Sequence, residues 1–289
     1  ILIGLVGSEM CIRDRPKYGH RCLGKIVTLV FPAVCGKSSG HHREHPDLGT
    51  ASPKIVRDDG TRMTVHIALG GIELDLLPGR VAYRPDTATL FVADMHLGKS
   101  GTFRAHGVPV PESSTPDLQR LGSLTKKYDA HTVVVLGDLL HDRNTLRGEL
   151  GAQIQKELRD FPVPVHLVPG NHDLHTKDLD SLELTIAAED GELDGLRLRH
   201  EPDPTSVSPM LAGHIHPVAI LGTRGGPHLR TRCFHAKHQT LTLPAFGSFT
   251  GGFEMHWNDG SLFAAGEQEV IPLNPDAKEM SLGTPQDPR

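Results

Sequence analysis

Short apolar runs separated by Gly, Pro and polar turns predict alternating strands and helices from about residue 63 onward. Helical patterns cover residues 116–127 and 145–160, and Asn144 is placed to cap the second helix. The strands predicted in this half of the chain are 64–68, 72–76, 81–83, 89–93, 132–136 and 163–168. Strands that alternate with helices are typical of a layered α/β fold.

After residue 195 the pattern changes to short apolar runs with no helical segment between them. The predicted strands are 196–198, 210–212, 218–221, 232–235, 241–243 and 261–264. Short strands divided by Gly and Pro indicate a second sheet, which we expect to be antiparallel and packed on the first.

The first 62 residues do not share this pattern. Residues 5–14 read LVGSEMCIRD, which resembles the translation of a transposon-type sequencing adapter, so residues 1–15 are interpreted as an artefact. Residues 16–62 are rich in Gly, Ser, His and Pro without a regular period. They are expected to be a non-native or disordered leader with Met63 as the natural start, the alternative being a genuine flexible arm. The domain is then expected over residues 63–273, followed by a polar tail over 274–289.

Composition narrows the class of protein. The net charge of −5 argues against a generally basic nucleic-acid coat, although a local basic groove remains compatible with it. No apolar run approaches the length of about 18 residues that crosses a bilayer, so we expect a cytoplasmic protein without membrane contact. Three of the four cysteines lie in the first 35 residues, which excludes a disulfide framework for the main body. The 19 histidines are a first indication of metal chemistry.

Four apolar runs end in residue types that bind metals. The clusters are Asp94 with His96, Asp138 after Gly137, Asn171 with His172 and Asp173 after Gly170, and His214 with His216 after Gly213. Each cluster alone fits an ordinary turn. Together they predict a two-metal site, because ligands of α/β sheets gather beyond the carboxyl ends of the strands. Oxygen and imidazole ligands favour Mn²⁺, Fe or Zn²⁺ over Ca²⁺.

The ordered motifs DMH, GD, GNHD, a later His and GHIH resemble those of the calcineurin-like metallophosphoesterase superfamily. The resemblance covers about residues 65–250. The segments VADMHLGKSGTFRAHGVPVP, HEPDP and LPAFGSFTGG are most similar to the ligase-associated DNA damage response endonuclease group called PdeM. This resemblance implies a layered α-β-β-α sandwich of two mixed sheets flanked by helices.

The resemblance also implies the ligands of two divalent metal ions. One ion would be held by Asp94, His96, Asp138 and His216, and the other by Asp138, Asn171, His200 and His214. Asp138 would bridge the two ions, since each carboxylate oxygen can bind one cation. His200 follows the strand-like LRLRH run, and His166 and His175 are its competitors for this position.

The implied reaction is hydrolysis of a phosphate ester by a metal-bridging hydroxide. His172 would stabilise or protonate the leaving oxygen, with Asp173 orienting its ring. Many superfamily members read GDxxD, whereas this chain continues as Leu139, Leu140, His141 and Asp142. Either His141 or Asp142 therefore takes the supporting role, or His141 contacts the substrate phosphate.

Basic residues near the motifs are candidate phosphate contacts, with a solvated surface as the alternative for each. They are Lys99, Arg104, Arg143, Arg147, Arg224, Arg230 and Arg232. The site motifs do not distinguish a DNA substrate from a small nucleotide or a phosphomonoester. The PdeM resemblance favours a nuclease in bacterial DNA repair with ligase or helicase partners; the alternatives are a small-molecule phosphatase and a non-catalytic repair scaffold.

Overall fold

A computed structural model describes residues 53–58, 62–222, 226, 228–256 and 258–273. The adapter-like stretch 1–15, most of the leader, Arg224 and the tail 274–289 lie outside the described residues.

As far as the structure describes the chain, the first sheet has eight strands in the order in which they follow along the chain. They are β1 (Lys54–Asp58), β2 (Arg62–Leu69), β3 (Ile72–Leu77), β4 (Val81–Arg84), β5 (Thr89–Val92), β6 (Thr132–Leu136), β7 (Val165–Val168) and β8 (Thr185–Ile186). Strands β1 to β5 pair antiparallel, and β5 to β8 pair parallel. The parallel pairs place the carboxyl ends of β5, β6 and β7 at one edge of the sheet.

Strand β1 corrects the expected extent of the irregular leader. The sequence assigns residues 54–58 to that leader, whereas the structure pairs them with β2, placing Ile55 opposite Val65. Ile55 and Val56 are exposed, so this edge strand lacks the buried apolar face that makes a strand recognisable. Its backbone hydrogen bonds to β2 hold it in the sheet.

In the described residues, four helices and two short 3-10 helices connect the strands. They are α1 (Lys99–Ala105), α2 (Ser114–Lys127), α3 (Gly148–Arg159), α4 (Asn171–His175) and the 3-10 turns Pro85–Thr87 and Leu179–Ser181. The prediction that Asn144 caps α3 is wrong, because the helix begins at Gly148. Asn144 instead donates its backbone N–H to Asp142 Oδ1 at 2.9 Å, within a turn that precedes the helix.

The second sheet contains the remaining strands. They are β9 (Asp190–Leu193), β10 (Leu196–Arg199), β11 (Met210–Ala212), β12 (Pro217–Gly222), β13 (His228–Lys237), β14 (Thr240–Thr242), β15 (Phe253–Glu254), β16 (Ser261–Ala265) and β17 (Val270–Pro272). The main order is β15-β12-β13-β14-β11-β10-β9, with β16 on β13 and β17 on β16. The expectation of an antiparallel sheet is wrong, since β11 pairs parallel with both β10 and β14. Short apolar runs do not specify the direction of their partners.

Strands β5 and β6 of the first sheet are buried on both faces, which explains their continuous apolar runs. In β6, Val134 and Leu136 face the second sheet, where they pack with Leu198 and Phe234. Alternate residues of the same strand, such as Val133, face the helices. The helical layer contributes Leu118, Leu121, Ile154 and Leu158.

The α/β class and the two mixed sheets are confirmed. Among the described residues, the helices cover the first sheet only, and the outer face of the second sheet carries a small cluster around Cys233, Met255 and Leu262. No helix in the described part of the chain has the length and apolar character that a membrane-spanning segment needs.

Candidate metal centre

The polar residues that follow β5, β6, β10 and β11 meet at one edge of the two sheets. Asp94 is completely buried and Asp138 is 4% exposed. Asp138 Oδ2 lies 3.8 Å from His96 Nε2 and 3.5 Å from His200 Nε2, so this carboxylate stands between two histidines. His216 Nε2 lies 3.1 Å from Asp94 Oδ1.

The backbone turns sharply at these residues. Five of the predicted ligands have left-handed backbones, a region that L-residues other than Asn, Asp and His rarely enter. Their φ angles are 54° at Asp94, 48° at His96, 50° at Asp138, 69° at His214 and 52° at His216. The strand ends are tied together where they turn, because His96 donates its backbone N–H to Asp138 O at 2.8 Å. The turn directs the side chains away from the sheet and towards each other.

Two of the motif glycines give these side chains room. A Cβ at Gly137, whose φ is 76°, would lie 2.1 Å from His200 Nδ1. A Cβ at Gly170 would lie 2.4 Å from Asp138 Oδ1. The spacing of Gly before Asp138 and before Asn171 therefore reflects close packing as well as the turn.

His200 is the candidate that lies inside the cluster. Its Nδ1 is 3.1 Å from Leu136 O, so Nδ1 donates to this carbonyl and Nε2 faces Asp138. Its competitors lie elsewhere: His175 is exposed at the end of α4, and His166 lies within β7. Among the described residues, neither competitor belongs to a group of side chains close enough to share a metal ion.

His214 and Asn171 lie at the exposed side of the cluster. His214 Nδ1 is 3.1 Å from His200 Nε2, and its backbone N–H donates to Asp94 Oδ2 at 2.9 Å. Asn171 donates its Nδ2 to Glu201 Oε1 at 2.9 Å, and this hydrogen bond lowers the pKa of Glu201. The sequence reasoning missed Glu201, although it directly follows His200.

His172 lies beside the cluster in a fixed orientation. Its backbone N–H donates to Asp138 Oδ1 at 2.9 Å. Its Nδ1 is 2.5 Å from the carbonyl oxygen of His141, so Nδ1 carries the proton that this carbonyl accepts. The ring is 5.1 Å from the His96 ring, centroid to centroid, and Nε2 remains as its second polar atom.

The structure corrects the role expected for Asp173. Its carboxylate does not hold the His172 ring, but accepts backbone N–H groups from Gly170 at 3.0 Å, Leu139 at 3.2 Å and Leu140 at 2.9 Å. Burial raises the pKa of Asp173 to about 6, while these hydrogen bonds oppose that rise. Asp173 therefore joins the loop after β6 to the start of α4.

His141 lies near the site and Asp142 does not. The His141 ring stacks on the His172 ring at 5.3 Å and meets the His96 ring edge-on at 5.5 Å. Asp142 is exposed and contributes to the turn before α3. His141, rather than Asp142, contacts the cluster, through its carbonyl oxygen and its ring.

The basic residues predicted to contact phosphate lie at different positions relative to the cluster. Lys99 acts electrostatically on the site: burial and then the Lys99 charge lower the pKa of His141 to about 4. Arg104 donates to the carbonyl of Val110 at an exposed position, and the Arg143 side chain is exposed.

Two further arginines stabilise a neighbouring loop. Arg232 donates to the carbonyls of Ser248 and Thr250, and Arg230 donates to that of Gly252. Their described contacts are therefore structural. Arg147 lies 3.9 Å from Asp178 at the surface.

The cluster has the properties of a cation site. Within the described residues, the buried Asp94 Oδ1 lies 3.1 Å from His216 Nε2 but makes no hydrogen bond, and a buried carboxylate is costly unless its charge is compensated. Burial opposes protonation of His200, but Asp94 and Asp138 outweigh it and raise the pKa of His200. Burial and then Lys99 hold the pKa of His96 well below its usual range, which keeps this ring neutral, as a metal ligand must be. The residues therefore fit a divalent metal.

Comparisons with known proteins identify the family of the chain. Residues 88–256 match the family model described as calcineurin-like phosphoesterase. The crystal structure of Pseudomonas putida nuclease MPE is similar, with 36% sequence identity, a TM-score of 0.61 and coverage of 73% of this chain and 100% of that one. The phosphoesterase Yfce from E. coli matches at 18% identity and a TM-score of 0.36, over 63% of this chain and 96% of that one. A search of curated proteins found no match. The chain belongs to the calcineurin-like phosphoesterase family and is a hydrolase of phosphoester bonds.

Proposed function

We propose that the protein is a phosphodiesterase that uses two divalent metal ions, Mn²⁺ in the first instance, to cleave DNA as an endonuclease in bacterial DNA repair. The observation that carries this proposal is the position of Asp138 Oδ2, 3.8 Å from His96 Nε2 and 3.5 Å from His200 Nε2. A carboxylate between two sets of imidazole nitrogens can bridge two cations.

The proposed ligands form two sets that share Asp138. The first set is Asp94, His96 and His216, and the second is Asn171, His200 and His214. Contacts within each set support the division, because His216 lies 3.1 Å from Asp94 and His200 lies 3.1 Å from His214. Two divalent ions bound here would lower the pKa of a bound water towards neutrality and polarise the phosphoryl oxygens.

The protein's own groups would complete the reaction. His172 is held through Nδ1–H by the His141 carbonyl, so Nε2 is the atom left to face the leaving oxygen. With the ring protonated at both nitrogens, the Nε2–H would donate its proton to that oxygen and leave His172 neutral. The ammonium of Lys99, whose charge reaches His96 and His141, would bind a phosphoryl oxygen of the substrate. Asp173 fixes the loop and helix that carry Asp138 and His172.

The nuclease assignment is supported by the Pseudomonas putida protein, which is named a nuclease and is 36% identical over 73% of this chain. The PdeM-like segments around residues 92–111, 200–204 and 243–252 support a role in DNA repair beside a ligase or a helicase. The exposed Arg143 and Arg104 side chains are candidates for contacts with more distant phosphates of the DNA strand.

The first test compares a diester with a monoester. With Mn²⁺ present, we expect faster turnover of bis(p-nitrophenyl) phosphate than of p-nitrophenyl phosphate. His172→Ala should reduce diester turnover by about 10²- to 10⁴-fold, the usual contribution of a general acid, without loss of metal binding. His175→Ala, an exposed histidine on the same helix, is the matched control. Preference for the monoester would identify a phosphatase, and absence of turnover would support a scaffold.

The second test uses labelled single-stranded and double-stranded DNA. Internal cleavage that requires Mn²⁺ and is lost in His172→Ala supports the nuclease proposal. Release of mononucleotides alone would contradict the endonuclease assignment. Intact DNA under conditions that cleave bis(p-nitrophenyl) phosphate would restrict the substrate to small phosphodiesters.

A further inference from the structure

Glu201 is a half-exposed carboxylate at the edge of the site, with 53% of its side chain accessible. Two of the proposed ligands converge on its Oε1 atom. Asn171 donates Nδ2 to Oε1 at 2.9 Å, and His214 Nε2 lies 3.7 Å from the same atom. Asn171 and His214 come from chain segments 43 residues apart, yet both are proposed to bind the same metal ion.

The contact with Asn171 decides which end of the amide can bind a metal. An Asn side chain has one oxygen, which accepts hydrogen bonds, and one NH₂ group, which donates them. A metal cation binds only the oxygen. Because Glu201 takes the NH₂ group, the amide oxygen is directed to the other side. A neutral, unsupported amide could rotate by 180° and present the wrong group.

The contact with His214 decides between the two ring nitrogens. His214 Nδ1 lies 3.1 Å from His200 Nε2, so Nδ1 faces the second proposed ligand while Nε2 faces Glu201. A carboxylate near the outer nitrogen favours the tautomer with the proton on that nitrogen, which leaves the inner nitrogen free to bind metal.

We propose that Glu201 is a positioning residue for one of the two metal ions, through simultaneous orientation of Asn171 and His214. The inference rests on the proposed two-metal function and adds a prediction to it: loss of Glu201 affects the two ions unequally. Within the described residues, Glu201 makes its hydrogen bond with Asn171 and its close imidazole contact with His214, and it makes neither with His96 or His216.

The test measures metal stoichiometry and affinity directly. Mn²⁺ is titrated into the full-length metal-free protein by calorimetry, and electron paramagnetic resonance follows the coupled two-ion signal. We expect Glu201→Ala to bind one ion as the wild type does and the second ion about 10- to 100-fold more weakly, the usual effect of removing a group that orients a metal ligand. At one to two equivalents of Mn²⁺ the coupled signal should give way to that of isolated ions.

Two further variants separate positioning from a general charge effect. Glu201→Gln retains an oxygen that can accept the Asn171 N–H, so its second-ion affinity should lie between those of the wild type and Glu201→Ala. Asp203→Asn removes a carboxylate from the same segment whose contacts are with Thr205, Arg197 and Arg199, and it should bind both ions normally.

Specific outcomes would overturn the inference. If Glu201→Ala binds both Mn²⁺ ions as tightly as the wild type, or binds both more weakly by the same factor, Glu201 does not act on one site selectively. If Asp203→Asn weakens binding of the second ion as much as Glu201→Ala does, the effect is one of surface charge. A wild-type protein that binds a single ion would refute the two-metal function itself, which is a different result from a two-ion wild type with an unaffected variant.

Discussion

Gly137→Ala tests whether the contact between Gly137 and the His200 ring organises the site. Gly137 has a φ of 76°, and an added Cβ would lie 2.1, 2.4 and 2.7 Å from Nδ1, Cγ and Cβ of His200. His200 is 4% exposed and its Nδ1 donates to Leu136 O at 3.1 Å. The ring therefore cannot move into solvent without loss of its packing and its hydrogen bond.

The expected loss of stability in Gly137→Ala has two separate contributions. The left-handed backbone costs an L-residue about 1–2 kcal/mol. A normal contact between carbon atoms is about 3.5 Å, so the His200 ring must also retreat by roughly 1 Å. Loss of the hydrogen bond to Leu136 adds about 1 kcal/mol to the destabilisation. A displacement of about 1 Å in a catalytic arrangement can reduce activity about 100-fold.

Gly195→Ala provides the matched control. Gly195 has a φ of 81° in the turn between β9 and β10, and an added Cβ there meets no atom within 4 Å. Both variants carry the backbone cost, but Gly137→Ala alone displaces a proposed ligand. Urea unfolding, Mn²⁺ calorimetry and diester turnover are measured for both variants and for the wild type.

We expect Gly195→Ala to lose about 1–2 kcal/mol of stability and to keep its metal affinity. Gly137→Ala should lose more stability and bind one Mn²⁺ ion about 10- to 100-fold more weakly, with partial recovery of turnover at high Mn²⁺. Equal stability and equal metal affinity in the two variants would refute the reasoning, because the clash with His200 would then have no consequence.

Three further predictions concern charge. Asp173→Asn should lower the free energy of unfolding by about 2–3 kcal/mol, measured in urea, because an amide cannot accept all three N–H groups that a buried carboxylate accepts. His66→Gln should be less stable than the wild type by up to about 1 kcal/mol at pH 5.5 and equally stable at pH 8.5. The hydrogen bond with Asp75 raises the pKa of His66, so this contribution is complete below the unfolded pKa and disappears as pH rises through the folded pKa. Chelation of metal should lower the melting temperature, and Mn²⁺ at 100 times its Kd should restore about 2.7 kcal/mol, since Asp94 and Asp138 are buried carboxylates that a cation compensates.

Each of these predictions has a contrary result. A stable Asp173→Asn protein would show that water replaces the carboxylate. A difference between His66→Gln and the wild type that does not change with pH would assign the effect to packing. A melting temperature independent of chelator would show that the two carboxylates do not require a cation in the folded protein.

The centre of the first sheet could be predicted because β5 and β6 are buried on both faces and form continuous apolar runs. The run TVVVL at 132–136 was predicted as a strand and forms β6 with the same limits. The helix α1 has no such signal: its sequence KSGTFRA is seven residues long, contains a glycine and buries only Ser100. In α4 the sequence NHDLH is too short to show a helical period, so its helical conformation depends on the contacts around it.

The sequence was enough to predict that the site residues lie close together. It was not enough to predict the hydrogen bonds that Asp173 and Glu201 make around them. Asp94, His96, Asp138, His214 and His216 follow apolar runs, and that order along the chain is visible in the sequence. The partners of Asp173 are backbone amides, which have no sequence signature. The role of Glu201 depends on Asn171, which lies 30 residues earlier in the chain and is brought near by the fold.

The left-handed backbone at five proposed ligands has a consequence for protein design. A designer who placed the same Asp and His side chains at the ends of regular strands would reproduce the composition of the centre but not the directions of its side chains. Transplantation of this centre into another scaffold requires the turns themselves, with φ values near 50° at Asp94, His96 and Asp138 and the hydrogen bonds that join the two strand ends. For these three ligands, the smallest portable unit is therefore the pair of adjacent parallel strands β5 and β6 with their turns.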